Sequence, residues 1–95
     1  MAEPRTFRKR PVEIQAVQFD GANAAEISTF TRGSFRLLAA PHPGSPDVIA
    51  EVWDKLHHTW VGVKAGDWIL RGVQGEFYPV DSQVMEQTYE AVGNE

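Results

Sequence analysis

Residues 60–80 constrain this chain more than any other stretch. Gly62, Gly66, Gly72 and Gly75 punctuate runs of aromatic and β-branched residues, from Trp60 through Trp68 and Ile69 to Phe77, Tyr78 and Val80. Short apolar runs broken by glycine write antiparallel strands joined by tight turns. Ala65-Gly66 reads as a two-residue hairpin connection and residues 72–75 as a second turn. The first hairpin would set Lys64 opposite Asp67 as an exposed cross-strand pair worth a few tenths of a kcal/mol.

The flanking segments extend the pattern. Residues 12–19 alternate, with Val12, Ile14 and Ala16 on one face and Glu13 and Gln15 on the other, and Val17 and Phe19 imply cover on both faces at the far end. Asp20-Gly21 ends that strand. Asn23 followed three residues later by Glu26 has the spacing of a capping box. Ala24, Ile27 and Phe30 form the packing face of the helix that follows, and Gly33 stops it. Strands are expected at 35–39, 48–53, 59–64, 67–71 and 76–80, with the proline loop 41–46 between the first two. Pro79 places the last strand at a sheet edge. Asp81 caps a second helix whose i,i+4 pairs are Val84/Thr88 and Met85/Tyr89. The expected class is α+β: a small, curled, mostly antiparallel sheet in the order β-α-β-β-β-β-β-α with two helices packed on it.

At 95 residues the chain makes one domain. Residues 1–10 read as a basic arm, 11–92 as the domain and 93–95 as a tail. The absence of cysteine removes disulfides and thiolate metal sites and fits a reducing compartment. No apolar run reaches the roughly 18–20 residues of a membrane span, and there is no signal-peptide core, so a soluble cytoplasmic protein is expected. The net charge of −4 conceals an asymmetry. The arm holds Arg5, Arg8, Lys9 and Arg10 against Glu3, whereas five acids and no base follow Gly75. An acidic body repels nucleic acid at long range, which disfavours it as a partner although the arm could contact phosphates.

Chemistry-bearing patterns are sparse. His57-His58 and His42 fall in a turn and a loop without metal-ligand spacing. Glu51, Asp67 and Glu76 are strand carboxylates; Glu51, sharing a face with Ile49 and Trp53, is the foremost of them. No serine lies in a nucleophile elbow, and the glycines match no phosphate loop. Neither catalytic residues nor a cofactor or metal are therefore expected. What remains is an aromatic surplus. A sheet this small does not bury three indoles fully, and exposed aromatics rimmed by polar groups mark contact surfaces. The candidate binding residues are Arg8, Lys9 and Arg10 on the arm, and Trp60, Trp68, Arg71 and Tyr78 in the strands.

Residues 8–19, 65–79 and 86–90 resemble small proteins encoded by bacteriophages and prophages, whose pattern runs Arg-Lys-Lys-Pro-Val, Glu-Ala-Val-Gln-Trp, Pro-Gly-Asp-Trp-Ile, Gly-Glu-Phe-Tyr-Pro-Cys and Thr-Tyr-Glu. The resemblance covers both ends, about half of the chain. Ala65 stands where that pattern has Pro and Val80 where it has Cys, which removes any thiol role. It implies a phage accessory protein of the host bacterial cytoplasm and carries no catalytic residue. The leading expectation is a non-enzymatic module that binds a host or phage protein. Alternatives are a small-molecule binder, stacking a nucleotide-like signal on Trp60, Trp68 and Tyr78 with Arg71 or Arg10 on phosphate at an interface between subunits of a homo-oligomer, and nucleic-acid contact through the arm.

Overall fold

The computed structural model describes residues 2–8 and 12–92. Its elements are β1 (Gln15–Gln18), α1 (Ala24–Phe30), β2 (Phe35–Leu37), β3 (Val48–Asp54), β4 (Thr59–Lys64), β5 (Trp68–Arg71), β6 (Phe77–Val80) and α2 (Ser82–Thr88). The α+β class and the element order follow the sequence pattern. The strands form two antiparallel sheets of three, ordered β1-β5-β6 and β2-β3-β4, rather than one curled sheet. The edge position of β6 agrees with Pro79 within it.

The division falls at Ala65-Gly66, where the expected β4–β5 hairpin does not form. The turn closes on itself: Asp67 N donates to Lys64 O at 3.1 Å, and Lys64 N donates to Asp67 Oδ2 at 2.9 Å. The end of β1 then captures the corner. Gly66 N donates to Phe19 O at 2.6 Å and Phe19 N to Asp67 O at 2.8 Å. Gln18 Nε2 adds a bond to Gly66 O at 3.0 Å. Gly66 sits at φ +98°, a conformation only glycine adopts cheaply. β5 therefore pairs with β1, from Gln15↔Arg71 to Gln18↔Trp68, and with β6 on its other side. Asp67 is 6% exposed, so the expected surface pair with Lys64 is absent; Lys64 Nζ lies 3.7 Å from Asp81 Oδ2 instead.

Between the sheets lies one core of Phe19, Ile27, Phe35, Ala50, Val52, Val63, Ile69 and Phe77. Two edge-to-face pairs tie its parts: Phe19 to Phe35 at 5.2 Å across the sheets, and Phe30 of α1 to Phe77 at 5.5 Å. A bulge between Val48 and Ala50 turns Ile49 toward this core, so Ile49 does not share the face of Glu51 and Trp53 as its parity suggests. Regular pairing of β1 begins only at Gln15, and Val12 is 53% exposed. The capping box is also replaced. Asn23 makes no side-chain cap; its Nδ2 donates to Gln18 O and Glu26 Oε1, both at 2.8 Å, and its Oδ1 accepts from Asp20 N at 2.9 Å. That amide ties the end of β1 to the start of α1. Gly33 ends the helix as expected, at φ +87° with its N–H on Ser28 O. Asp81 caps α2, accepting from Gln83 N at 2.8 Å, but no residue of α2 is buried.

Burial raises the Asp67 carboxyl above its ordinary value, the Lys64 amide and ammonium oppose this, and Asp81 adds to the rise. A carboxyl with a raised folded-state value favours the folded state increasingly as pH falls from neutral toward its unfolded value of 3.8. Asp67→Asn keeps the acceptor for Lys64 N and removes the buried charge. Its melting temperature at neutral pH is expected to exceed that of the parent, with the gap closing on acidification. Asp67→Ala loses the acceptor and should cost about 1–3 kcal/mol in urea unfolding. Equal destabilisation by Asn and Ala would contradict this reading of the corner.

Candidate functional site

Strand alternation sorts the second sheet into an apolar inner face and a chemically distinct outer one. Phe35, Ala50, Val52, Val61 and Val63 point into the core. Arg36, Glu51, Trp53, Trp60 and Gly62 point away, with Arg36 opposite Glu51, Glu51 opposite Gly62 and Trp53 opposite Trp60. The two indoles meet edge to face at 5.5 Å and 65°. The Arg36 guanidinium lies 3.8 Å above the Trp60 ring. Its Nε and Nη2 both donate to Glu51 Oε1, at 2.9 and 2.7 Å. Val48 fills the space over Gly62: a Cβ there would lie 2.8 Å from Val48 Cγ1.

Each contact is modest alone. The Arg36 side chain is 51% exposed and that of Glu51 16%, so the ion pair contributes at most about 1 kcal/mol. A cation–π contact at an exposed site adds about 0.5–1 kcal/mol and an aromatic edge contact about 0.5–1.5. Because they share Arg36 and Trp60, they hold the long side chains in one arrangement before anything binds, which lowers the entropy lost on docking.

The β3–β4 turn adjoins this face. Asp54 Oδ1 accepts from Leu56 N at 2.9 Å and His57 N at 3.3 Å, and Asp54 Oδ2 lies 2.7 Å from His57 Nδ1. The bond from His57 holds the Asp54 carboxyl below its ordinary value. His58, at φ 52°, packs edge-on against Trp53 at 6.2 Å. His42 Nδ1 accepts from Gly44 N at 3.3 Å within the proline loop. Among the described residues no group of three or more His, Cys, Asp or Glu could hold a metal. The strand carboxylates stand apart: Glu51 on Arg36, Asp67 at the corner, and Glu76 accepting from Gln74 N at 2.9 Å in the β5–β6 turn.

The structure disperses the candidate binding residues. Arg8 is exposed on the arm, and Lys9 and Arg10 lie outside the described residues. Trp60 belongs to the outer face just described. Trp68 is in the other sheet, opposite Gln18 and Val80, and shares a face with Leu70 and Tyr78. The Tyr78 hydroxyl is pushed above its ordinary value of 10.0 by burial first, then by the Tyr89 phenol beside it and by Glu76. Arg71, paired with Gln15 and Phe77, falls on the opposite face from Tyr78. With Glu13, Ile14 and Val73 it lines a shallow cavity of about 290 Å³ that contains no aromatic side chain. Within one chain Trp60 therefore lies on a different sheet from Trp68 and Tyr78. The sequence pattern does not single out Trp53 or Arg36; their signal is the outward parity of two strands whose pairing local pattern does not specify.

Comparison with known protein families, characterised proteins and solved structures finds no match for this chain.

A double-mutant cycle with Arg36→Met and Glu51→Gln should give a coupling of roughly 0.5–1 kcal/mol that shrinks at high salt. Zero coupling at low salt would remove the ion pair from this description.

Proposed function

We propose that the chain is a non-enzymatic binding module that docks a protein through the outer face of β2–β3–β4. The observation that carries this reading is the Trp53–Trp60–Arg36–Glu51 arrangement, half-buried at the indoles and open to solvent at the guanidinium. Trp and Arg dominate the energetic centres of protein interfaces, and such centres are fixed in place beforehand. Glu51 already neutralises Arg36, so a docking partner covers no lone charge. The surface fits an apolar or aromatic knob flanked by hydrogen-bond acceptors for the indole N–H groups and the free guanidinium N–H groups.

The resemblance to phage-encoded proteins makes a host or phage protein the natural partner and the host bacterial cytoplasm the natural setting. No helix of the described residues is long and apolar enough to cross a membrane. The acidic balance beyond residue 10 favours a protein partner over nucleic acid.

Capture from bacterial lysate, followed by titration of the purified partner, tests this. Arg36→Ala combined with Trp60→Ala should weaken binding by roughly tenfold or more, the loss expected at an interface centre. Val73→Ala, in the β5–β6 turn, should leave affinity unchanged. A partner that binds the face variant as tightly as the parent would refute the assignment.

A further inference from the structure

Two polar residues hold places that strand alternation reserves for the core. Ile69 is fully buried between the sheets, and Arg71, two residues on, keeps its parity and lies opposite Phe77 of the same core. Gln15 lies opposite Arg71 and shares its parity with Val17, which packs against that core. A polar side chain on a core-facing position is costly unless a partner answers it. Arg71 is half-buried, yet the ion pairs among the described residues are Arg36–Glu51, His57–Asp54 and Lys64–Asp81, and it belongs to none of them.

The cavity of about 290 Å³ lies at this position, lined by Arg71, Glu13, Ile14, Gln15 and the turn glycines Gly72 and Gly75. Its volume is at the lower end of the range for ligand pockets, which suits a small metabolite. Glu13 lines the same space without pairing with Arg71. Two further charges border it. Lys55 reaches over from the β3–β4 turn, its Nζ 3.3 Å from where a Cβ on Gly75 would lie. Glu76 folds onto its own turn, accepting from Gln74 N at 2.9 Å and filling the space a Cβ on Gly72 would need. Two cations and two carboxylates balance, which disfavours a phosphate, and there is no ring on which a base could stack.

We propose that this cavity binds a small amino carboxylate, a free amino acid or a close analogue. The Arg71 guanidinium takes the carboxylate through paired N–H groups, a geometry that its planar fork matches. Glu13 takes the ammonium, and Ile14 offers the ligand side chain an apolar contact. A dipolar ligand answers both unpaired charges at once and adds no net charge to a balanced site. The cavity is on the core-facing side of β5, apart from the Trp53–Trp60 face, so either assignment can fail without the other.

The test titrates the full chain with each standard amino acid, reading the amide NMR shifts of Gly72 and Gly75 and the melting temperature. At least one amino acid should shift those amides saturably and raise the melting temperature by mass action. Its methyl ester lacks the carboxylate and its N-acetyl derivative lacks the ammonium; each should bind roughly tenfold or more weakly, as should inorganic phosphate. Arg71→Met should weaken the amino acid by a similar factor. Glu13→Gln, an exposed change that leaves the core untouched, should abolish the preference for the amino acid over its N-acetyl derivative. Circular dichroism verifies that both variants are folded. No saturable shift with any amino acid, a derivative or phosphate that binds as tightly as the amino acid, or a preference that survives Glu13→Gln would each overturn the proposal.

Discussion

Both backbone groups of Phe19 are taken by the corner at Gly66 and Asp67, and the rest of the architecture depends on that capture. Once the end of β1 holds the corner, β5 lies against β1 and cannot continue the ladder of β4. The chain therefore builds two three-stranded sheets in place of one. The same contact delivers the Phe19 ring to Phe35 of the other sheet, so the hydrogen bonds that separate the sheets also close the core between them. Asp67 secures the arrangement from its other side by accepting the Lys64 amide, at the expense of a buried carboxylate.

The division decides which side chains can act together. With β4 paired only to β3 along its ladder, Trp60 lies opposite Trp53, and Arg36 reaches over Trp60 while bonded to Glu51. Trp68 and Tyr78 are carried away to the other sheet. A single meander would have gathered the later aromatics of the chain. Two sheets instead yield one face organised by shared contacts and leave Arg71 in a cavity without an aromatic wall.

Features governed by neighbouring residues were legible in the sequence. Gly33 ends α1, Asp81 caps α2, Pro79 marks an edge, and residues 72–75 turn β5 into β6, because each depends on backbone geometry or a bond within a few positions. Ala65-Gly66 matches a hairpin connection because the corner it forms also needs a glycine at positive φ; what distinguishes the two is Phe19, 47 residues away in sequence. Asn23 departs from the capping box although its partners are local: its amide answers the Gln18 carbonyl five residues back in preference to the helix amides, because the end of β1 is brought against the start of α1. The candidate face was half legible. The pattern points to Trp60, but its neighbours Trp53 and Arg36 follow from strand register, which local pattern does not specify.

Proton NMR of the folded chain addresses the division into two sheets and the outer face together. Cross-strand contacts between Val17 and Ile69 and between Trp53 and Trp60 are expected, with Arg36 side-chain protons shifted upfield by the Trp60 ring. A β4–β5 ladder joining Val63 or Lys64 to Trp68, with Arg36 protons at ordinary positions, would contradict both.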